Sequence, residues 1–424
     1  MKKFLTLLLA SIMLLSLCAC GGEKTEDQSA NQTGNQAFSV GIARINITPK
    51  NTTNLPMEGY KDQISQGILS FLYATCVAIT DEQNNTLLLY TVDRCESERE
   101  TVDELRSRLE ASTGIPGDNI SVSSTHTHSS PKISSMPDYV DQLVQAGQEA
   151  LADRAPATIV AGSYDVPNMN FVRHYVLNDG TVAGDNFGDK SVGYKDHTSV
   201  ADPNMRLIRF QRDDKKDVLM VNWQVHPRVA SAGDTQEGRA TRNLLSSDFV
   251  GYAREHVEAK EDVIMAYYTG ASGNVNHFSH LTAEKGLVSK EAKVYGQQFG
   301  DHVITAMKEL KSLPTGNVGS KSAPLGAFKM HAYTLGSSIG FATVPAEIFH
   351  ETGSQIREGS GCELTFVMSC TNGRNTYIPI EEVWSYTTNN NDLPYEMSIC
   401  RYPKGTAEEL AATLGQMLTE LVGK

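Results

Sequence analysis

Hydrophobic and polar residues follow two different periods along the chain. Short apolar runs are typical of buried strands, and apolar residues spaced three or four positions apart are typical of amphipathic helices. The stretch FLYATCVAITDEQNNTLLLYTVD (71–93) predicts two strands around a polar turn. The next stretch, SERETVDELRSRLEASTG (97–114), predicts a helix that ends just before Gly114, and ISVSS (120–124) predicts a further strand.

The same alternation continues through the rest of the chain. Further predicted elements are a helix over 139–154, a strand over 157–166, a hairpin over 206–225 that turns at 213–216, a strand over 262–269, a helix over 290–310, strands over 339–344 and 364–369, and a closing helix over 406–422. Interleaved strands and helices predict an α/β fold of mixed β-sheets with flanking helices, in one large domain over residues 38–424.

The first residues have the features of an export signal. MKKFLTLLLASIMLLSLCAC has a basic start and an apolar run shorter than a membrane-spanning helix. Cys20 follows Ala19, an arrangement typical of bacterial lipoprotein signals, in which this cysteine becomes the lipidated first residue; an ordinary peptidase site would leave it unexplained. We therefore predict a signal peptide over 1–19, a lipidated Cys20 with a flexible polar tether over 20–37, and anchoring to a membrane on the extracytoplasmic side.

Charge and cysteine spacing exclude other classes of protein. The formal net charge is −13, and the signal peptide carries Lys2 and Lys3, so its removal makes the chain more acidic. Such a chain is not expected to bind nucleic acid, or to dock on anionic lipid by charge alone. The cysteines after the signal have no C-x-x-C spacing and predict neither a disulfide framework nor a thiolate zinc site.

Polar side chains follow five of the predicted buried strands. ISVSS leads into SSTHTHSSP with His126 and His128, and VLMVNWQV leads into His226. IGFATV leads into Glu347 at a predicted helix start, LTFVMS leads towards Tyr377, and DVIMAYYT leads into GASGNVNH. In open α/β sheets ligands bind beyond the carboxyl ends of the strands, so these side chains are candidates for one pocket at strand carboxyl ends.

Each of these residues also has an ordinary structural explanation. The histidines could be solvated in a loop or terminate a strand, Glu347 could favour a helix N-terminus, and Tyr377 could be a packing residue. Together, two histidines, a carboxylate and a phenol in an exported protein fit a catalytic zinc site with one position left open for water. Tyr377 has the weakest chemical support, because a phenolate is an uncommon zinc ligand.

Several motifs, in this order, resemble the neutral (alkaline, non-lysosomal) ceramidases, zinc amidases that cleave the amide of N-acylsphingosine. The motifs are VGIARINITP, MEGY, SSTHTHSSP, NFVRH, NWQVHP, SSDFVGYA, GASGNVN, VPAEIF and NGRNTYIP, and they span most of residues 38–424. The resemblance implies a catalytic domain with one Zn²⁺ per chain, bound by His126, His226, Glu347 and Tyr377. It also implies that His128 faces the scissile carbonyl or its oxyanion, and that Arg173 lines the site.

The chain departs from the family pattern at the reaction centre. Ceramidases typically have G-D-V-S-P-N there, with the serine at the centre, whereas Asn274 and Asn276 occupy the aspartate and serine positions of this chain. A covalent serine mechanism is then not available, so we expect a zinc-activated water to attack while Asn276 donates a hydrogen bond. We also expect no C-terminal β-sandwich domain of the kind those enzymes carry, which leaves the long-chain lipid substrate open.

Three functions follow from these residues. The first is a zinc amidohydrolase that releases a sphingoid base and a fatty acid from ceramide-type N-acyl lipids. The second is a hydrolase of another amide or an ester, from cell-envelope or dietary material. The third is a tethered binding lipoprotein that holds a metal without turnover. The complete ligand set favours catalysis, because a binding protein has no need of an open zinc position. Neither the true substrate nor the oligomeric state follows from the sequence.

Overall fold

The computed structural model describes residues 37–231, 236–282, 291–373 and 376–423. The predicted signal peptide, Cys20 and almost all of the predicted tether lie outside these ranges. No helix within them is long and apolar enough to cross a membrane.

Helices and strands alternate along the described residues. The helices are α1 (Arg99–Thr113), α2 (Tyr139–Ala152), α3 (Gln236–Thr241), α4 (Asp248–Glu258), α5 (Ala292–Met307), α6 (His350–Glu358), α7 (Tyr395–Ile399) and α8 (Thr406–Val422). The strands are β1 (Ser39–Asn46), β2 (Thr53–Pro56), β3 (Ile64–Ile68), β4 (Tyr73–Thr80), β5 (Thr86–Val92), β6 (Ile120–Ser124), β7 (Ala155–Asp165), β8 (Phe171–Val172), β9 (His174–Leu177), β10 (Val182–Gly184), β11 (Tyr194–His197), β12 (Asn204–Arg212), β13 (Asp217–Trp223), β14 (Leu244–Leu245), β15 (Val263–Thr269), β16 (Val275–Asn276), β17 (Lys311–Leu313), β18 (Val318–Leu325), β19 (Phe328–Leu335), β20 (Ile339–Thr343), β21 (Glu347–Ile348), β22 (Leu364–Met368) and β23 (Tyr377–Ile378).

Two mixed β-sheets form the centre of the fold. The larger has the order β15-β13-β12-β7-β1-β4-β5-β6, with β17 also paired to β7. Its β13–β15 and β5–β6 pairs are parallel, and its other pairs are antiparallel. The smaller sheet has the order β18-β19-β20-β22, and its β20–β22 pair is parallel. The predicted α/β class with mixed sheets and flanking helices is confirmed.

The two sheets pack face to face, and helices cover their outer faces. Along β13, Val218 and Met220 face the smaller sheet, whereas Leu219 and Val221 face α4 and α5. This alternation follows from the two-residue period of side chains along a strand. Helices α1 and α2 cover the β4–β5–β6 side of the larger sheet, and α6 and α8 cover the smaller sheet. Four layers result, and a cluster of apolar and aromatic side chains from both sheets fills the core between them.

Most of the predicted elements have counterparts in the structure. The hairpin over 206–225 is β12 and β13, and α1 ends just before Gly114, whose φ of 74° is the left-handed conformation that glycine tolerates. The β18–β19 hairpin was not predicted, because the sequence of β18 carries lysine and serine and has no apolar run. Glu347 does not begin a helix as expected; it lies in the two-residue strand β21, and α6 begins at His350.

The carboxyl ends of three central strands are hydrogen-bonded to one another. The Thr269 hydroxyl at the end of β15 donates to the Thr125 carbonyl just after β6, at 2.7 Å. The Ser369 amide just after β22 donates to the Thr269 carbonyl at 3.0 Å, and the Ser124 amide donates to the Cys370 carbonyl at 3.0 Å. These contacts join the two sheets at one edge, and the chain segments that leave this edge carry the candidate site residues.

Candidate metal centre

His126 leaves the end of β6 in an uncommon backbone conformation. Its φ is 67°, and its amide donates to the Arg94 carbonyl at 2.9 Å. The side chain is buried, and its Nδ1 lies 2.7 Å from the Cys95 carbonyl oxygen. Because a carbonyl can only accept, Nδ1 carries the hydrogen and Nε2 is left to face the centre of the site.

His226 is oriented in the same way from the larger sheet. It follows β13, and its amide donates to the Val275 carbonyl at 3.1 Å. Its Nδ1 lies 2.8 Å from the Ser272 carbonyl oxygen, so this ring also turns Nε2 towards the centre. Two backbone carbonyls from different segments therefore fix the tautomer and the orientation of both histidines.

Glu347 and Tyr377 reach the same point from a separate two-stranded sheet, whose strands follow β20 and β22 in the chain. They stand opposite each other in the parallel β21–β23 pair. Glu347 Oε2 lies 3.1 Å from His126 Nε2 and 3.2 Å from His226 Nε2, and the two Nε2 atoms are 3.1 Å apart. The Tyr377 hydroxyl oxygen lies 3.2 Å from His226 Nε2. The four side chains that the sequence assigned to zinc thus converge on one small volume.

This arrangement requires a positive charge at its centre. His126 Nε2, His226 Nε2 and Glu347 Oε2 all present lone pairs to one another, and Glu347 Oε2 is buried with no hydrogen-bond donor among the described residues. Either a proton or a metal cation must lie between them. A tetrahedral zinc site with bonds of about 2.0 Å has ligand atoms about 3.3 Å apart, close to the spacing found here. The donors present therefore fit a metal ion with nitrogen and oxygen ligands.

The charge states of these groups suit a cation. Burial raises the pKa of Glu347, but His126 and His226 outweigh it and hold that pKa well below its ordinary value, so the carboxylate is ionised. Burial lowers the pKa of His226 to about 4. Burial also lowers the pKa of His126, but Cys370 and Glu347 outweigh it and raise that pKa, so a metal ion that binds at Nε2 displaces a proton.

His128 stands beside the metal centre. Its amide donates to the Pro227 carbonyl at 3.2 Å, and its Nε2 lies 3.3 Å from His126 Nε2. Burial and the neighbouring His126 and His226 lower the pKa of His128 well below its ordinary value, so the ring is neutral near pH 7. A neutral imidazole therefore lies next to the ligand atoms of the centre.

Arg173 lies behind Tyr377 rather than in the open part of the site. Its guanidinium carbon is 5.3 Å from the centre of the Tyr377 ring, and its Nε and Nη2 donate to Glu396 at 2.9 and 2.5 Å. The Glu396 carboxylate is buried and also lies 3.0 Å from His174 Nε2. Arg173 thus supports the Tyr377 ring and is itself held by Glu396.

Asn276 is held by an acidic neighbour. It lies in β16, and its Nδ2 donates to Asp185 Oδ2 at 2.5 Å. Asp185 also lies within 3.4 Å of Arg228 Nη1 and 3.5 Å of His280 Nε2. Asn276 Oδ1 is buried and has no hydrogen-bond donor among the described residues. The amide nitrogen, which the sequence expectation assigned to the substrate, is therefore engaged with Asp185.

A cavity of about 1010 Å³ opens onto the metal centre, and we call it the site cavity. The candidate site residues on its wall are His126, His128, Glu347 and Tyr377. Its other lining residues are Met57, Glu58, Gly59, Tyr60, Lys61, Cys95, Glu96, Glu98, Lys132, Ile133, Ser134, Thr376, Tyr395, Ile399 and Arg401. Arg173 and Asn276 do not line it. The site cavity is large enough for a small organic substrate next to the metal centre.

Residues 38–291 match the family model described as "Neutral/alkaline non-lysosomal ceramidase, N-terminal". The chain belongs to this family. Two solved structures are similar over 91% of this chain and 75% of their own length at 16% identity: a ceramidase described as complexed with C2, with a TM-score of 0.71, and the neutral ceramidase from Pseudomonas aeruginosa, with a TM-score of 0.69. The fold is therefore that of a ceramidase, as the motifs predicted.

Several residues that shape this ceramidase-family site were not predicted from the sequence. The backbone carbonyls of Cys95 and Ser272 orient the two histidines. Every residue has such a carbonyl, so the sequence gives no signal for these two. Glu396 lies in α7, which no motif covered. Gly59 lies within the quoted motif MEGY. A glycine is needed there because a Cβ would lie too close to His128.

Proposed function

We propose that this ceramidase-family protein is a zinc-dependent hydrolase of N-acyl amides, with ceramide-type lipids as the first candidate substrate. One observation carries the proposal: three buried lone-pair donors, on His126, His226 and Glu347, lie within 3.2 Å of one another around a point that needs a cation. Family membership supports amide hydrolysis as the reaction. We also propose that lipid on Cys20 holds the domain at the extracytoplasmic face of a membrane, which rests on the sequence alone.

The side chains around the ion have separate tasks in this proposal. Zn²⁺ at the centre would polarise the amide carbonyl and lower the pKa of a bound water to about 7. His126, His226 and Glu347 hold the ion, and Tyr377 is close enough to be a fourth ligand. Hydrogen bonds to backbone carbonyls prevent the two histidine rings from turning, so the ligand atoms stay in place without the ion.

His128 is the group best placed to act on the substrate. Its Nε2 lies 3.3 Å from His126 Nε2, and so lies next to the proposed ion. From that position Nε2 donates a hydrogen bond to the carbonyl oxygen as negative charge develops on it. Such a donor is worth about a hundredfold to a thousandfold in turnover.

A second candidate is hydrolysis of an amide other than ceramide. Two observations favour it: Asn276 stands where the family typically has its central serine, and charged side chains line much of the site cavity. A neutral lipid with two long chains has no group to match those charges.

Metal content and amide cleavage test the proposal together. We expect the purified full-length protein to contain about one zinc per chain by mass spectrometry, and to release fatty acid from some of a panel of N-acyl amides. His226→Ala should lose the ion and lower cleavage at least about 100-fold, because even changes outside the ligand set cost 10- to 100-fold in metal sites. His302→Ala, a half-buried histidine on α5, is the matched control and should keep both. Full activity after exhaustive chelation would rule out the proposal.

A further inference from the structure

Three cationic side chains stand at the rim of the site cavity, and we call Lys61, Lys132 and Arg401 the rim cations. They come from three separate segments: the β2–β3 loop, the chain between β6 and α2, and the connection from α7 to α8. All three are exposed, and within the described ranges none of their side chains has an ion pair or hydrogen bond. The chain as a whole has a negative net charge, so three cations around one cavity are a local exception to that charge.

The carboxylates of the cavity are mostly committed elsewhere. Glu98 bonds Arg94 at 2.7 Å, and Glu58 bonds the same guanidinium, whose side chain is fully buried. Glu58 also accepts from the Ser130 hydroxyl at 3.0 Å. Glu347 belongs to the metal centre. Glu96 is the fourth lining carboxylate. The rim cations, Arg94 and a divalent ion at the centre together outweigh the four carboxylates, so a molecule in the cavity meets a net positive charge.

The same cavity also offers apolar contacts for an acyl chain. Its apolar and aromatic lining residues are Met57, Tyr60, Ile133, Tyr395 and Ile399. An occupant that matches both parts has a hydrocarbon portion, an amide at the metal centre and a negative charge near the rim. Ceramide supplies the first two features but carries no charge.

We propose that the site cavity selects N-acyl amides that carry an anionic group, a carboxylate or a phosphate, and that Lys61, Lys132 and Arg401 determine this specificity. The proposal rests on the proposed amide hydrolysis: water breaks the C–N bond, the acyl group leaves as a carboxylate, and the nitrogen leaves as an amine that takes up the proton. The charge preference can be measured separately from that reaction.

Matched substrates isolate the charge. N-dodecanoylglycine and N-dodecanoylglycinamide differ in one terminal group, carboxylate against neutral amide, and N-dodecanoylphosphoethanolamine supplies a phosphate. We expect kcat/KM for the carboxylate substrate to exceed that for glycinamide about tenfold at low salt, and the ratio to fall as salt screens the rim. The rate with the phosphate substrate shows whether the cavity prefers a phosphate or a carboxylate as the anionic group. Equal rates for glycine and glycinamide at low salt would overturn the proposal.

Variants then assign the preference to the rim cations. The triple variant Lys61→Gln, Lys132→Gln, Arg401→Gln should lower kcat/KM for N-dodecanoylglycine about tenfold, as expected for three exposed charges of modest individual effect. Its rate with N-dodecanoylglycinamide should stay within about twofold. Lys308→Gln, an exposed lysine outside the cavity lining, is the control and should change neither. A triple variant that slows both substrates equally would contradict the assignment.

A binding measurement keeps the charge preference testable if no amide is cleaved. Calorimetric titration of the chelated full-length protein should show tighter binding of N-dodecanoylglycine than of its glycinamide, and the triple variant should lose that difference. If no amide in the panel is hydrolysed but this difference is found, the proposed function fails and the charge preference stands. If amides are cleaved and both ligands bind alike, the charge preference fails alone.

Discussion

At the scale of single residues, Asn276 shows how a neighbouring charge orients an amide. Asp185 can only accept when it is ionised, so the group at 2.5 Å from it is the Asn276 nitrogen. Burial raises the pKa of Asp185, but His280, Arg228 and Arg173 outweigh it and hold that pKa well below its ordinary value. Asn276 Oδ1 consequently has no donor in the part of the chain that the structure describes. This residue offers a substrate an acceptor more readily than a donor.

Removal of the Asn276 side chain should slow turnover without affecting the metal. We expect Asn276→Ala to lower kcat about tenfold or less with zinc content unchanged, because the side chain does not line the site cavity and acts through its hydrogen bond to Asp185. The isosteric Asp185→Asn removes the charge that orients the amide but keeps its shape, so its loss should be smaller. Kinetics and metal analysis on the same preparations check both variants. Loss of zinc from Asn276→Ala would show that the residue supports the metal centre instead.

The four metal-centre side chains could be predicted from the sequence, but their surroundings could not. His126, His226, Glu347 and Tyr377 each follow a strand that its apolar run identifies, and strand ends meet at sheet edges. Asp185 lies 91 residues before Asn276 and follows no such strand, so nothing local joins them. Contacts of this kind exist only after the tertiary fold has formed.

At the scale of elements, the β2–β3 loop is a support for His128. The Glu58 amide donates to the Ser130 carbonyl at 2.9 Å, which ties the loop to the chain just beyond the histidines. Gly59 has a φ of 90°, and a Cβ there would lie 2.8 Å from the Cα and Cβ of His128. Only glycine therefore allows the loop to approach His128 this closely.

Gly59→Ala should disturb His128 and spare the metal ligands. The positive φ costs about 1 kcal/mol for alanine, and the contact with His128 adds a displacement of that ring. A misplacement of about 1 Å can reduce turnover about 100-fold. We expect a fall in kcat of about tenfold to 100-fold with normal zinc content.

Gly180→Ala is the matched control for this substitution. Gly180 has a φ of 84°, and a Cβ there would meet no atom of the described residues within 4 Å, so it carries the backbone cost alone. Thermal unfolding should show a loss of stability in both variants, and only Gly59→Ala should lose activity. Equal kcat values for the two variants would mean that the loop does not position His128.

Apolar runs predicted the central strands, but short strands at the site had no such signal. Strands β21 and β23 have two residues each, and the first was expected to be the start of a helix. Pairing between Glu347 and Tyr377 depends on the parallel β20–β22 pair that precedes both. The order of strands in each sheet also has no local signal in one sequence, since neighbours such as β7 and β12 are joined only by tertiary pairing.

At the scale of the whole molecule, the site is assembled from almost the full length of the described chain. Met57 and Arg401 both line the site cavity, and the candidate ligands follow strands of both sheets in the chain. The family match ends at residue 291, before Glu347, Tyr377 and Glu396, yet these residues complete the centre or support it. If the packing between the sheets is lost, we therefore expect all parts of the site to be lost together.

The buried pair of Glu396 with Arg173 and His174 links the stability of the fold to pH. Burial raises the pKa of Glu396, but His174 and Arg173 outweigh it and lower that pKa from 4.5 to about 2. A carboxyl group whose pKa is lowered in the folded chain stabilises the fold at any pH above its unfolded-chain pKa of 4.5. This contribution is lost as the pH falls through the folded-chain pKa of about 2. The difference corresponds to about 3 kcal/mol.

Denaturant unfolding at a series of pH values should reveal this contribution. With a chelator present throughout, so that metal release does not add to the change, the wild-type unfolding free energy should fall by about 3 kcal/mol more between pH 5 and pH 2 than that of Glu396→Gln. The variant should be less stable than the wild type at pH 7, because Arg173 then lies buried without its partner charge. Glu382→Gln, at an exposed glutamate in the chain between β23 and α7, is the control and should follow the wild-type curve. Parallel curves for the wild type and Glu396→Gln would show that Glu396 binds its proton equally well in the folded and unfolded chains, and the pair would then contribute nothing to acid sensitivity.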